Sequence, residues 1–156
     1  MKIEKSQLFD HVELTELTKV SKAYWGYSQK QIEKWDKFLT ISKEYILDNE
    51  VYKLVVNYQI IGYYSFFKVD DKKVKLDYLF ILPEFIGKRL GVFLMNDLFK
   101  RVDELGFSIV TLDSEPNSKG FYKKLGFKVV GKKETSIKNR FMPIMEINLQ
   151  LKKRLY

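Results

Sequence analysis

The chain has 156 residues, of which 46% are hydrophobic and 31% charged, which excludes a disordered or low-complexity segment. The sequence contains no cysteine and one histidine, and this excludes a disulfide framework, thiolate metal sites, a cysteine nucleophile and a histidine-rich metal cage. The formal net charge is +8. We therefore predict that residues 1–156 form a single soluble domain that binds no metal.

Helices are predicted at the beginning of the chain. Leu14, Leu17 and Val20 recur at helical spacing, and this first helix ends near Trp25. A second amphipathic helix is predicted from Ser28 to Leu39, with Ser28 as its cap, and a short third one from Ser42 to Leu47.

Strand patterns replace the helical ones after residue 50. Val51–Val56 and Ile60–Val69 predict a hairpin with Asn57 in its turn, and a second turn follows at Asp70–Lys72. The next strand alternates polar and apolar residues from Lys73 to Tyr78 and is apolar on both faces from Tyr78 to Leu82. We therefore expect one face of this strand to pass from solvent to cover midway along its length.

The same apolar run, Tyr78–Leu82, bears on the cellular location. It is the longest uninterrupted apolar stretch, and it is too short to cross a bilayer. The first 20 residues also lack the apolar run of a signal peptide. The sequence thus predicts a cytoplasmic protein without a membrane partner.

A strand–helix–strand unit comes next. A loop at Gly87–Gly91 leads into a helix that ends at Gly106, and Ser108–Leu112 is another apolar strand. This order predicts a parallel strand pair with a right-handed crossover. A helix over Ser118–Leu125 and strands over Phe127–Gly131 and Phe141–Leu149 complete an α+β, mixed α/β sheet.

The positive charge is concentrated at the end of the chain. Residues 119–156 hold 11 basic and 2 acidic side chains, so the preceding residues carry a net charge close to zero. Such a region attracts polyanions or phosphorylated small molecules, although a solvated lysine-rich surface explains it as well. No aromatic RNA-binding motif accompanies it, so nucleic acid is disfavoured as a partner.

The loop Pro83–Gly91 is suited to binding a phosphate. It lies between the end of a strand and the start of a helix, where free N–H groups and the positive end of the helix dipole converge. Gly87 and Gly91 allow close approach to the backbone, and Lys88 and Arg89 add positive charge. The loop matches neither the Walker A nor the G-x-G-x-x-G motif, and a turn glycine beside an exposed basic pair is the alternative interpretation.

A second motif follows at Asn117 and Phe121–Phe127. Together with Ile86–Gly91, it resembles the GNAT superfamily of acyl-CoA-dependent N-acetyltransferases, whose pyrophosphate loop reads Arg/Gln-x-x-Gly-x-Gly/Ala. The segments Ser21–Tyr27 and Ser136–Met145 are also similar to a branch of that family, so the likeness covers nearly the whole chain. It departs from the family where Ile86 replaces Arg or Gln and where Arg89 replaces a glycine.

The resemblance implies a GNAT-like, mostly antiparallel mixed sheet flanked by helices, with a splayed parallel strand pair that holds acetyl-CoA as co-substrate. It also implies direct attack of a small-molecule or peptide amine on the thioester, and it leaves a homodimer open. Backbone groups of three strand residues would pair with the pantetheine arm, and six further residues would bind the rest of the cofactor. The strand residues are Phe80, Ile81 and Leu82; the others are Gly87, Lys88, Arg89, Leu90, Gly91 and Asn117.

Tyr122 is the candidate general acid that protonates the departing thiolate. A tyrosine hydroxyl has an ordinary pKa of about 10 and a thiol one of about 8.5, so the transfer is uphill by roughly 2 kcal/mol. A positioned hydrogen bond offsets a cost of this size. The alternative is that Tyr122 packs as a core aromatic residue.

Asp77 is the candidate general base. Deprotonation at neutral pH costs about 1.4 kcal/mol for an α-amine and about 4.6 kcal/mol for a lysine amine, so a lysine acceptor needs a base. Water or Glu84 are alternatives for this role. Asp77 is equally explained as an exposed charge that pairs with a lysine.

Tyr24, Trp25 and Tyr27 are the candidate acceptor-binding residues, since this region borders the acceptor pocket in the resembled family. Simple packing of a helix-end aromatic cluster is the alternative. A second hypothesis for the whole protein is a catalytically idle GNAT-fold binding module, in which the basic C-terminal region binds nucleic acid or another polyanion. Salt-sensitive nucleic-acid binding without acetyl transfer would favour this second hypothesis.

Overall fold

The computed structural model describes residues 1–135, 137 and 139–154. In this part of the chain, the strands are β1 (Lys2–Lys5), β2 (Glu50–Val56), β3 (Gln59–Lys68), β4 (Lys73–Ile81), β5 (Ile109–Asp113), β6 (Lys128–Glu134) and β7 (Phe141–Asn148). The helices are α1 (His11–Tyr24), α2 (Gln29–Lys34), α3 (Asp36–Leu39), α4 (Lys43–Asp48), α5 (Leu90–Glu104), α6 (Lys119–Leu125) and α7 (Leu149–Arg154).

The strands form a mixed, mostly antiparallel sheet in the order β1-β2-β3-β4-β5-β7-β6. The β4–β5 pair is parallel, whereas β1–β2, β2–β3, β5–β7 and β6–β7 are antiparallel. The predicted strand–helix–strand crossover is thus confirmed, because α5 connects the two parallel strands. The α+β fold class is confirmed with it.

The chain divides into two compact units. Unit 1 comprises residues 1–66 and 78–97, and unit 2 comprises residues 67–77 and those from 98 onward. In unit 1, buried side chains of α1, α4, strands β2 and β3 and the connection between α3 and α4 form one cluster: Leu14, Leu17, Ile41, Ile46, Val51, Ile60 and Tyr63. In unit 2, the fully buried residues include Leu98, Val102, Val110 and Met145. That the whole chain is one domain remains a prediction.

Local signals in the sequence correctly located several element ends. Ser28 and Ser42 cap α2 and α4, where their hydroxyls accept hydrogen bonds from the N–H groups of Gln31 and Tyr45. The β2–β3 turn places Asn57 and Tyr58 at positive φ, as a tight hairpin turn requires.

Three elements differ from the prediction. β1 was not predicted, because its four residues have no clear periodicity and the strand exists through pairing with β2. The second predicted helix is divided at Trp35 into α2 and α3. The last strand ends at Asn148, whose side chain accepts a hydrogen bond from the N–H of Gln150 and so begins α7.

Candidate functional site

Strand β4 changes character along its length. It pairs with β5 over Lys73↔Ile109, Val74↔Val110 and Lys75↔Thr111, and among the described residues the ladder has no further pair. β4 nevertheless continues to Ile81. The expectation that the strand becomes covered from Tyr78 onward is wrong, since residues 78–81 are only half-buried. The early end of the ladder leaves one edge of this half without strand cover.

Charged residues hold the first half of β4 within unit 2. The ammonium of Lys73 lies 2.8 Å from the Glu146 carboxylate, and that of Lys75 lies 2.9 Å from Asp113. Burial opposes ionisation of Asp113, but the hydrogen bond from Lys75 and the charges of Lys75 and Lys133 lower its pKa. The hydrogen bond to Glu146 raises the pKa of Lys73 against a smaller effect of desolvation.

Asp77, the predicted general base, is exposed on this same strand. It has interactions with other residues, so it is not an isolated carboxylate. The catalytic role of Asp77 stays a prediction.

In unit 1, the second half of β4 is held by backbone contacts. The Leu82 N–H donates to the Ile61 carbonyl at 2.9 Å, and the buried hydroxyl of Ser21 donates to the Ile81 carbonyl at 3.1 Å. A Cβ on Gly62 would lie 3.0 Å from the Phe80 carbonyl oxygen, so a side chain there would require the neighbouring backbone to move by a few tenths of an ångström. The Leu82 N–H, one of the groups predicted to bind pantetheine, is thus already engaged.

The loop after β4 has an unusual backbone. Gly87 has a φ of 87° and Arg89 a φ of 59°, both in the left-handed region that favours glycine. The sequence predicted a loop as far as Gly91. In the structure, Leu90 and Gly91 belong instead to the first turn of α5. The family position at which Arg89 replaces glycine thus keeps the glycine-like conformation.

This loop is open and electropositive. The side chains from Ile86 to Arg89 are exposed, and a Cβ built on Gly87 would have no atom within 4 Å. The first N–H groups of α5 have no acceptor within the helix, and the positive end of its dipole faces the loop. The Lys88 ammonium lies 5.7 Å from the centre of the Phe85 ring. The arrangement fits a diphosphate at the loop backbone.

The second motif lies in unit 2. Asn117 is exposed in a 3₁₀ turn before α6, and Tyr122 is 8% exposed within α6. The Tyr122 ring packs edge-to-face on Phe121 and Phe127, with centroid distances of 5.1 and 5.5 Å. Burial raises the pKa of the Tyr122 hydroxyl well above its ordinary value. Tyr122 is therefore both a packed aromatic residue and a hydroxyl that keeps its proton at neutral pH.

The predicted acceptor residues surround the end of α1 in unit 1. Tyr24 and Trp25 are exposed and lie edge-to-face with their ring centres 5.3 Å apart. Tyr27 packs instead on Trp35, with a centroid distance of 4.9 Å. The pattern of the sequence indicates no functional role for Trp35 or Ser21, because their contacts with Tyr27 and Ile81 are tertiary.

The C-terminal part of the resemblance is only partly described, since Ser136 lies outside the described residues. Arg140 forms an ion pair with Glu115, and Pro143 and Met145 lie in β7. Among residues 1–135, 137 and 139–154, no helix is long and apolar enough to cross a membrane, and no three His, Asp or Glu residues are grouped to hold a metal ion.

A family model that matches most of the chain shows to which family the protein belongs. The model of the family described as Acetyltransferase (GNAT) domain matches residues 25–149, about four-fifths of the chain. The chain belongs to the GNAT acetyltransferase family. A search of curated protein sequences finds no significant match.

Solved structures of GNAT proteins share the fold. The PaiA N-acetyltransferase from Thermoplasma acidophilum, solved in complex with coenzyme A, is 24% identical with a TM-score of 0.78, over 94% of this chain and 98% of that one. The ribosomal-protein-S18-alanine N-acetyltransferase from Escherichia coli is 15% identical with a TM-score of 0.72, over 95% and 93% of the two chains. The aminoglycoside 6'-N-acetyltransferase from Enterococcus faecium is 16% identical with a TM-score of 0.66, over 96% and 97%.

Proposed function

We propose that this GNAT protein transfers an acetyl group from acetyl-CoA to the primary amine of a small molecule or peptide. The observation that carries the proposal is the loop before α5, where Gly87 and Arg89 are both left-handed and the exposed backbone leads into a helix N-terminus. A diphosphate is the chemical group that such a loop binds best. Acetyl-CoA contains this group, and the T. acidophilum relative was solved with coenzyme A.

Backbone amides of residues 87–91 would bind the diphosphate, and the charges of Lys88 and Arg89 would assist them. Because these contacts come from the backbone, the replacement of the family Arg or Gln by Ile86 costs little. Arg89 stands where the family has a glycine, and its backbone has the left-handed conformation that favours glycine. Asn117 is the further residue that we propose for cofactor binding.

The half-exposed end of β4 would pair with the pantetheine arm. The Leu82 N–H is bound to Ile61, and the Ile81 carbonyl already accepts one hydrogen bond from Ser21. The Leu82 carbonyl also accepts a hydrogen bond, from the Phe85 N–H at 2.9 Å. The Phe80 carbonyl oxygen faces Gly62 of β3, and backbone groups of successive strand residues point to opposite edges, so the arm would pair mainly with Ile81.

Acetyl-CoA would supply an activated acetyl thioester. The amine would attack the thioester carbonyl directly, forming the C–N bond as the C–S bond breaks. Tyr122 would donate a hydrogen bond to the departing sulfur. Because burial raises the pKa of its hydroxyl, full proton transfer to the thiolate costs more than the roughly 2 kcal/mol of an ordinary tyrosine, so hydrogen-bond donation is the role that we propose. Asp77, directly or through water, would accept the proton that the amine loses. Tyr24, Trp25 and Tyr27 would shape the acceptor side.

The first experiment is calorimetry with CoA and acetyl-CoA, followed by a thiol-release assay with a panel of amines. We expect both ligands to bind and at least one amine to be acetylated. Tyr122→Phe should retain CoA affinity and lose about 100-fold or more in turnover. Tyr58→Phe, at a fully exposed hairpin turn, is the matched control and should behave as the unaltered protein.

Other outcomes would contradict parts of this proposal. Unchanged turnover in Tyr122→Phe would remove Tyr122 from the reaction. Absence of CoA binding at millimolar ligand would overturn the enzyme function. If the protein then bound nucleic acid with a steep salt dependence, the alternative of an idle polyanion-binding module would take its place.

A further inference from the structure

Two aromatic rings in unit 1 hold an ammonium group of the chain itself. The Lys22 Nζ lies 5.0 Å from the centre of the Tyr27 ring and 5.1 Å from that of Trp35. The two rings meet edge-to-face at 75°, so they form two walls around one cation. Cations within about 6 Å of an aromatic ring centre are attracted by the negative ring face.

The residue before Lys22 contacts the end of β4. Ser21, the residue before Lys22, is buried at the end of α1, and its hydroxyl donates to the Ile81 carbonyl at 3.1 Å. Ile81 ends the half of β4 that we assigned to the pantetheine arm. Lys22, whose ammonium lies between the two rings, is therefore the chain neighbour of a residue that contacts the proposed cofactor strand.

The charge of unit 1 permits a cationic ligand there. Its residues, 1–66 and 78–97, contain 11 basic and 11 acidic side chains, so the +8 of the chain arises from unit 2. Long-range repulsion of a cation is therefore weaker at unit 1 than the overall charge suggests.

We propose that Tyr27 and Trp35 form a subsite for the second, non-reacting ammonium group of a diamine acceptor, and that Lys22 occupies this subsite while no acceptor is bound. The proposal rests on the proposed acetyltransferase function and names its acceptor class. A diamine carries the same alkylammonium group as lysine, so it can replace Lys22 between the rings without a change in the type of interaction. The displaced Lys22 ammonium would remain charged in water.

A tethered competitor has a measurable consequence. Because Lys22 is held close to the rings by its own backbone, it lowers the apparent affinity for an external ammonium. Removal of its charge should therefore strengthen diamine binding, which is the opposite of the result expected if Lys22 itself bound an anionic substrate.

The test measures binding of 1,4-diaminobutane and of n-butylamine, with and without CoA, by calorimetry. We expect the diamine to bind more tightly than the monoamine, and Lys22→Met to strengthen diamine binding about threefold to tenfold. Lys30→Met is the matched control: it removes the same charge from an exposed position on α2 and should not change the affinity.

Loss of either ring should have the reverse effect. Trp35→Leu should weaken diamine binding by about threefold or more and abolish the preference over the monoamine. Since Trp35 lies at the α2–α3 junction, Tyr27→Leu provides a second variant with the same expectation, and circular dichroism of each variant verifies folding. Equal binding of both amines, or no response to Lys22→Met and to loss of the rings, would overturn the proposal.

Failure of this proposal is separable from failure of the proposed function. Amine binding is measured without any acetyl transfer, so it can succeed in a protein that has no activity. Conversely, CoA binding and transfer to a monoamine with no preference for diamines would retain the enzyme and reject the diamine subsite.

Discussion

The two halves of β4 differ in what holds them. The first half pairs with β5, and its residues Val74 and Leu76 are buried. On its other face, Lys73 and Lys75 form ion pairs with Glu146 and Asp113. The second half, residues 78–81, is half-buried and lacks pairs with β5 in the described residues. The first half of the strand thus contributes to stability, and the second half is the one that we propose for ligand binding.

The difference shows how a rigid strand can present an unsatisfied edge. Exposed strand edges are a hazard because they recruit other chains. Here the first half fixes the strand direction, and contacts from Ser21 and Ile61 occupy part of the second half. The remaining edge is short, which limits unwanted pairing.

The largest expected effect comes from the buried face of the first half. Leu76→Ala should lower the free energy of unfolding by about 2–5 kcal/mol, because Leu76 is 4% exposed and its removal leaves a cavity. Leu79→Ala, in the half-buried part, should cost clearly less. Urea denaturation measures both variants. Equal losses would show that the two halves do not differ in their contribution to stability.

The second prediction concerns the loop that follows β4. Gly87→Ala should destabilise the left-handed turn by about 1–2 kcal/mol and weaken CoA binding about tenfold, through backbone strain alone, since the new Cβ meets no atom. Arg89→Gly is the matched change at the other left-handed position. It should relieve strain there, and CoA affinity should fall only by the loss of one charge. Calorimetry measures both affinities. Unaltered CoA binding by Gly87→Ala would separate the loop from the cofactor.

The smallest effect concerns the ion pair of the first half. The pKa of Asp113 is lowered in the folded state, so its stabilising contribution is present above the unfolded pKa of about 3.8 and is lost as the pH falls below it. Asp113→Asn should therefore cost about 1 kcal/mol at pH 7 and less at pH 3. Urea unfolding at the two pH values measures this difference. A loss of stability that does not depend on pH would assign the role of Asp113 to packing instead of charge.

Much of the fold follows from short-range signals in the sequence. Serine caps at Ser28 and Ser42, the Asn57 turn and the helix-ending Gly126 act on neighbouring backbone groups, so they are predictable without the tertiary structure. The two motifs, around Gly87 and Tyr122, were predictable for the same reason. Burial of Tyr122, which raises the pKa of its hydroxyl, was one of the two alternatives that the sequence left open, and the packing on Phe127 that decides it is tertiary.

The sequence by itself determined the order of the elements after β1, the parallel crossover and the family motifs. Periodicity and turn residues act on backbone only a few positions away, so they can be recognised in the sequence. Only the tertiary structure decided that β1 pairs with β2, that β4 leaves β5 after Lys75, and that Ser21 reaches Ile81. It likewise placed Lys22 between the rings of Tyr27 and Trp35. These contacts join separate elements of the fold, so chain folding, and not local propensity, determines which groups meet.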